Sequence, residues 1–288
     1  MTMGTTVGVL HPGAMGAALA AQARRKGARV LWCPVGRSQA TQQRADQGGF
    51  EAVDNLGTLL EHSEVVLSVC PPGAAVQVAT QVAQQKFRGL YVEANATSPQ
   101  RCIRIAQRLM NNGAEVIDAA IFGTPPAAGA PANGQGKTAI YLAGRPTDVE
   151  TVVTLFDGTA VEPLRLDGGI GSASALKMAH SSYQKTTAVL AAVALAYAAR
   201  YGVTRPLIAE ARMSARSPLA EPAQLPAVAA QAWRWTPELH EVADALEAEE
   251  LPRDLALAAA AILFRWHDDK DDDSLPLKTV LARLADPT

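Results

Sequence analysis

Val7-Gly8-Val9-Leu10-His11-Pro12-Gly13-Ala14-Met15-Gly16 joins an apolar run to a glycine-bearing turn and then to residues that suit a helix. A strand that ends in small residues and passes directly into a helix lets the backbone approach a pyrophosphate. The helix N-terminus then offers N–H donors and a partial positive charge. Gly13 and Gly16 stand at the second and third positions of a GxGxxG pattern, and His11 takes the first. His11, Pro12, Gly13, Ala14, Met15 and Gly16 are therefore the expected cradle of a dinucleotide. His11 reads as a capping or packing residue beneath the cofactor rather than a catalytic one.

Outward from this turn, short apolar runs alternate with helical stretches. Strands are expected over 7–10, 29–33, 64–70, 90–94, 115–121 and 138–143. Helices are expected over 14–26, 38–47, 74–85, 99–112 and 147–156, the first stopped by Gly27 and the second by Gly48 and Gly49. This βαβα alternation implies an α/β fold with a mainly parallel, doubly wound Rossmann-type sheet. After Gly168-Gly169 the pattern changes. One Ala-rich helix runs from about 172 to 201 without Gly or Pro, and further helices follow near 206–216, 237–249, 253–266 and 275–285. The expected organisation is a dinucleotide-binding Rossmann domain over 1–167 and an all-α domain over 168–288. No internal repeat is apparent.

Of the 288 residues, 48% are hydrophobic and 19% charged, enough apolar material for a sizeable core. A formal net charge of −2 points to neither nucleic acid nor an anionic membrane as partner. Five His and three Cys are scattered without metal-ligand or CxxC spacing, so no metal site and no disulfide framework are expected. No window reaches about 18 uninterrupted apolar residues. The N-terminus lacks the pattern of a signal peptide, and a cytoplasmic location is expected. The acidic run 267–273 lacks the Gly and terminal Glu of a calcium loop and reads as a solvated connection between helices.

The end of the second strand bears on the choice of cofactor. NAD-specific sites usually carry Asp or Glu there, to accept from the ribose hydroxyls. Trp32-Cys33-Pro34-Val35-Gly36-Arg37-Ser38 has no acid, and the next one is Asp46. Arg37 and Ser38 instead offer a guanidinium and a hydroxyl to a 2′-phosphate, so NADP(H) is the expected cofactor. Cys70 ends a strand close to the expected cofactor, where a small residue is needed, and Pro71-Pro72 shape the turn that follows.

Lys177 lies near the start of the long helix, after Gly168-Gly169-Ile170-Gly171. His180, Ser181, Gln184 and Lys185 share its face at helical spacing, whereas Tyr183 turns away. A desolvated lysine exchanges a proton with an alcohol oxygen because burial lowers its pKa. His180 beside it is a candidate proton relay.

These segments together resemble the β-hydroxyacid dehydrogenase superfamily, which includes 3-hydroxyisobutyrate dehydrogenase, 6-phosphogluconate dehydrogenase and the imine reductases. His11-Pro12-Gly13-Ala14-Met15-Gly16 resembles its GLGxMG turn. Asn95-Ala96-Thr97-Ser98-Pro99 resembles the segment that holds substrate near the nicotinamide, and Asp118-Ala119-Ala120-Ile121-Phe122-Gly123-Thr124 the DAPVSGG substrate motif. Gly171-Ser172-Ala173-Ser174-Ala175-Leu176-Lys177-Met178-Ala179-His180-Ser181 is similar to the GxGxxxKxxxN catalytic motif. The matches fall in the right order over most of residues 7–200. The remaining helices look like a poorly characterised C-terminal domain of one branch of the superfamily.

The resemblance implies Lys177 as general acid and base, with Ser181 and His180 beside it. It implies Asn95 on the nicotinamide side and Thr97, Ser98, Phe122, Gly123 and Thr124 on the substrate side. It further implies a cleft between the domains and a homodimer paired through the helical domains. Three departures bear on the substrate. Ser181 replaces the motif's Asn, Phe122 replaces the Ser that helps to bind a carboxylate, and Gln184 stands where phosphogluconate dehydrogenases have a catalytic Glu. Sugar-acid decarboxylation is thereby disfavoured, and Phe122 points to a more apolar or bulkier small-molecule substrate.

The leading reading is hydride transfer between NADP(H) and a carbonyl/alcohol pair. An imine reductase is the alternative, favoured by Phe122, Trp233 and Trp235 and opposed by Lys177. A non-catalytic NADP-binding protein is the third.

Overall fold

Side chains alternate along each N-terminal strand, so both faces of the sheet are buried. Val7, Val9, Val30, Trp32, Val65, Leu67, Leu90 and Val92 face one core, and Leu31, Val66, Tyr91 and Val116 face the other. The computed structural model describes residues 4–127, 130, 138–213, 221–248, 250 and 253–285. Chain contacts divide it into two compact units, Met1–Lys177 and Met178–Thr288.

In the first unit, strands β1 (Thr6–Val9), β2 (Arg29–Trp32), β3 (Glu51–Ala52), β4 (Val65–Ser68), β5 (Leu90–Glu93), β6 (Glu115–Phe122), β7 (Thr138–Ala143) and β8 (Val161–Arg165) form one sheet. Their order is β3-β2-β1-β4-β5-β6-β7-β8. All pairs are parallel except β6–β7, which is antiparallel. Helices α1 (Ala14–Arg25), α2 (Gln39–Gly48) and α6 (Pro146–Phe156) cover one face, and α3 (Leu56–Glu61), α4 (Ala75–Gln84) and α5 (Pro99–Met110) the other. The strand order reverses between β1 and β4. This is the switch point at which open α/β sheets bind ligands, beyond the carboxyl ends of the strands.

The second unit is helical. It takes up most of α7 (Ser172–Arg200), then α8 (Thr204–Met213), α9 (Leu225–Ala248), α10 (Asp254–Phe264) and α11 (Leu277–Arg283). Small side chains let α9 and α10 approach closely: Ala229, Ala230, Ala232, Ala256, Ala259 and Ala260 are all buried. Trp266 closes this core, its Nε1 donating to the Val280 carbonyl at 2.8 Å.

Several boundaries differ from the sequence expectation. The helix expected to start at 237 starts at Leu225 and runs through Pro237. Pro226 fits a first turn, and Pro237 removes only one backbone donor from a helix held by tertiary packing. Strand β8 was not expected, because Glu162, Pro163 and Arg165 break its apolar pattern. It lies at the sheet edge, where proline is tolerated. Residues 214–216 and 249, included in two expected helices, lie outside the described residues.

Candidate active site

The backbone leaves β1 at Val9 and enters α1 at Ala14. The Leu10 N–H donates to the Leu67 carbonyl at 3.1 Å, and the Gly13 N–H to the His11 carbonyl at 2.8 Å. Gly13 caps α1 in an extended conformation, and no side chain caps the helix. Its first N–H groups therefore have no side-chain acceptor. The two glycines answer different needs. A Cβ on Gly16 would come within 2.4 Å of the His11 carbonyl, so this residue lets the helix sit against its own turn. A Cβ on Gly13 would meet nothing within 4 Å. It would fill open space above the helix N-terminus, the place a pyrophosphate needs.

Arg37 joins this turn from the end of β2. Its charge acts on His11, and the His11 imidazole is pushed down to about 4, by burial first and by Arg37 second. The ring is therefore neutral at pH 7. The Nδ1 atom of His11 and the Nε atom of Arg37 are both buried without a hydrogen-bond partner. Ser38, exposed, is the N-cap of α2, and its hydroxyl accepts from the Thr41 N–H at 3.3 Å. An uncapped helix start, an open glycine and two orphaned nitrogens fit a dinucleotide with its phosphates.

Polar groups beyond β4 and β5 are, by contrast, closely tied to one another. Cys70 follows β4, and its N–H donates to Asn95 Oδ1 at 2.5 Å. Asn95 Nδ2 donates to Ser68 Oγ at 3.0 Å and to Glu93 Oε1 at 2.5 Å. The amide of Asn95 thus clamps the turn after β4 to that after β5. Burial and the nearby Glu93 raise the Cys70 thiol to about 12, so it stays neutral. Pro71 leads into a short helical turn, Pro72–Ala74. Thr97 is fully buried with its Oγ1 unpartnered. Ser98 caps α5, accepting from the Arg101 N–H at 3.3 Å.

Strand β6 carries the link to Lys177. Asp118 is fully buried. Its Oδ2 accepts from the N–H groups of Gly171 at 2.8 Å and Ser174 at 3.0 Å, and its Oδ1 accepts from Ser174 Oγ at 2.7 Å. A carboxylate at a helix N-terminus is favoured by the helix dipole, so Asp118 anchors the start of α7 on the sheet. Lys177, one turn on, is half-buried. Its Nζ donates to the Ile121 carbonyl at 2.9 Å and lies 4.8 Å from the centroid of the Phe122 ring. Phe122 meets Tyr141 edge to face at 5.3 Å. Gly123 takes a φ of +102° beyond β6, and the Thr124 carbonyl accepts from Thr138 Oγ1 at 2.5 Å.

His180 and Ser181 belong to the second unit. His180 is exposed. Ser181 is buried and donates to Glu238 Oε1 at 2.7 Å, beside the Lys185–Glu238 ion pair. Sequence reasoning gave no role to Glu93, Tyr141 or Ser174, and saw Asp118 only as part of a motif. The readable signal was a carboxylate set among apolar residues, Glu93 at the end of β5 and Asp118 within β6. In the acidic run 267–273 only Asp269 is buried, paired with Arg283. Asp268, Asp271, Asp272 and Asp273 are exposed, as a solvated connection between helices requires, and Asp271 accepts from Trp233 Nε1 at 3.2 Å. Among the described residues there is no cluster fit to hold a metal, and no helix is long and apolar enough to cross a membrane.

Residues 6–165 match the family described as the NAD binding domain of 6-phosphogluconate dehydrogenase. Residues 198–266 match a domain of unknown function, DUF1932. An uncharacterised 28.5 kDa protein of Methanothermus fervidus is 25% identical over 62% of this chain, which spans 65% of that relative's length. Among solved structures, a conserved protein of unknown function with structural similarity to 3-hydroxyacid dehydrogenases is 25% identical. Its TM-score is 0.67, with 92% of this chain and 97% of that chain covered. The Mycobacterium tuberculosis 3-hydroxyisobutyrate dehydrogenase with L-serine has a TM-score of 0.74 at 18% identity, covering 98% and 99% of the two chains. An imine reductase variant from Myxococcus stipitatus with NAD+ has a TM-score of 0.57 at 18% identity, covering 99% and 100%.

Proposed function

We propose, from the premise that this chain belongs to the family of the NAD binding domain of 6-phosphogluconate dehydrogenase, that it is an NADP(H)-dependent oxidoreductase interconverting a small carbonyl compound and its alcohol. One observation carries the cofactor assignment. The uncapped start of α1 lies in the same turn as His11, whose Nδ1, like Arg37 Nε, is buried and unpartnered.

In this reading the backbone of residues 11–16 holds the pyrophosphate, and neutral His11 packs beneath it. Arg37 and the N-terminus of α2 at Ser38 take the 2′-phosphate. Cys70 and Pro71 border the cofactor, held in place by Asn95. The bound dinucleotide supplies or accepts the hydride. Lys177, steadied by the Ile121 carbonyl and the Phe122 ring, gives a proton to the carbonyl oxygen during reduction and removes it during oxidation. Thr97, Ser98, Phe122, Gly123 and Thr124 border the substrate. The edge-to-face pair of Phe122 and Tyr141 favours an apolar substrate and so also supports the second reading, an imine reductase. Parallel panels of carbonyls and imines separate the two.

The deciding experiment is titration of wild type and Arg37→Ala with NADPH and NADH. Wild type is expected to bind NADPH about tenfold or more tightly than NADH, the worth of one charge-assisted hydrogen bond. Arg37→Ala is expected to lose that preference. Equal losses for both cofactors would remove the 2′-phosphate assignment, and binding of neither would end the enzyme reading.

A further inference from the structure

Two buried acids lie side by side beneath the site. Glu93 and Asp118 stand opposite one another in the β5–β6 register, and both are fully buried. The period-two pattern places them on the α5 face with Tyr91 and Val116. Their hydrogen-bond environments differ. Asp118 accepts three hydrogen bonds from the start of α7. Glu93 accepts only through Oε1, from the side chain and backbone N–H of Asn95, and its Oε2 is buried without a partner. Two adjacent carboxylates in a low-dielectric site do not both ionise readily. The donors gather at Asp118, so the charge of the pair belongs there and the proton belongs to Glu93.

We propose that Glu93 is a positioning residue that works as a neutral acid. Its proton lets it stand against Asp118, so that Asn95 can clamp the Cys70 turn while Asp118 anchors the helix of Lys177. Ionised Glu93 would set a second charge against Asp118 and loosen both attachments. Among the described residues, the titratable groups that act on it or that it acts on include Asp118 on β6, Cys70 after β4, Cys102 on α5 and Tyr91 on its own strand. Burial, and after it Asp118, push the Glu93 carboxyl up to about 8 against the hydrogen bonds of Asn95.

The direction of the pH effect follows. The unfolded chain releases this proton near the usual 4.5, and the folded chain keeps it to about 8. Stability from this group is thus complete below about 4.5 and is lost as pH rises to about 8. Glu93→Gln, a neutral isostere, is expected to flatten the fall in Tm across that window. An unchanged slope would overturn the proposal. In unliganded wild type, the infrared band of a protonated carboxyl is expected at neutral pH, fading as the solution is titrated through about 8. Its absence would overturn the proposal whether or not the variant folds.

The third readout rests on the dinucleotide reading. If the ionised form holds no cofactor, the Kd for NADPH in wild type rises about tenfold at about pH 9, whereas Glu93→Gln keeps its neutral-pH affinity. Parallel pH profiles would remove the coupling to the cofactor turn. Failure of wild type to bind NADPH at any pH would count against the proposed function, and the Tm and infrared readouts would still decide on the proton.

Discussion

The turns after β1 and β5 lie at the same end of parallel strands, yet they use their polar groups in opposite ways. After β1, α1 starts uncapped, Gly13 faces open space, and two buried side-chain nitrogens, His11 Nδ1 and Arg37 Nε, have no partner. After β5, Asn95 makes hydrogen bonds in three directions, and the neighbouring Asp118 accepts three more. Orphaned buried groups cost stability, so a turn that keeps them suits a ligand that completes them. The turn after β5 also leaves Thr97 Oγ1 and Glu93 Oε2 without a partner, but it spends Asn95 and Asp118 on holding backbone still. The contrast assigns recognition to the first turn and positioning to the second.

The largest expected effect tests whether the positioned side serves chemistry. Lys177→Ala should lower turnover by about 10²–10⁴-fold, the usual worth of a general acid or base, with NADPH affinity nearly unchanged. Steady-state kinetics alongside a binding titration read both, and near-normal turnover would remove Lys177 as the proton donor. Next in size, Asp118→Ala strands the N–H groups of Gly171 and Ser174 in a buried site. Denaturant unfolding should show a loss on the order of 3 kcal/mol. A loss near zero would mean that the start of α7 needs no anchor and would break the comparison.

The glycines of the open turn give the smallest effects and the clearest contrast. Gly16→Ala drives a Cβ to within 2.4 Å of the His11 carbonyl, and about 1–3 kcal/mol of stability should be lost with it. Gly13→Ala meets nothing within 4 Å, so Tm should hold while cofactor binding weakens. If Gly13→Ala binds NADPH normally, the open space is not the pyrophosphate seat.

Much of the fold could be read in advance because it depends on local pattern. Strand 64–70 was visible as a largely apolar run, and α1 as a helix ended by Gly27. Strand β8 escaped because an edge strand needs only one apolar face, and Pro163 hid it. The true start of α9 escaped because Pro237 is a strong local stop signal, and only packing of Ala229, Ala230 and Ala232 overrides it. At the site, the glycines, Arg37 and Lys177 stood out by residue type. Glu93 went unremarked and Asp118 entered only as part of a motif, because their pairing depends on β5–β6 register, a contact between residues 25 positions apart.

Order along the chain, set by periodicity and by the special backbone freedom of glycine, was enough to specify a dinucleotide-type turn leading a mainly parallel α/β sheet into a helical region. Those properties are local, and a few neighbouring residues express them. Which polar groups stay open and which are consumed was decided by the folded molecule alone. That division depends on which strands lie side by side, on the depth at which Glu93 is buried, and on the three donors that α7 brings to Asp118. Desolvation and hydrogen bonding are properties of a group's surroundings, and those surroundings come from residues far away in the chain.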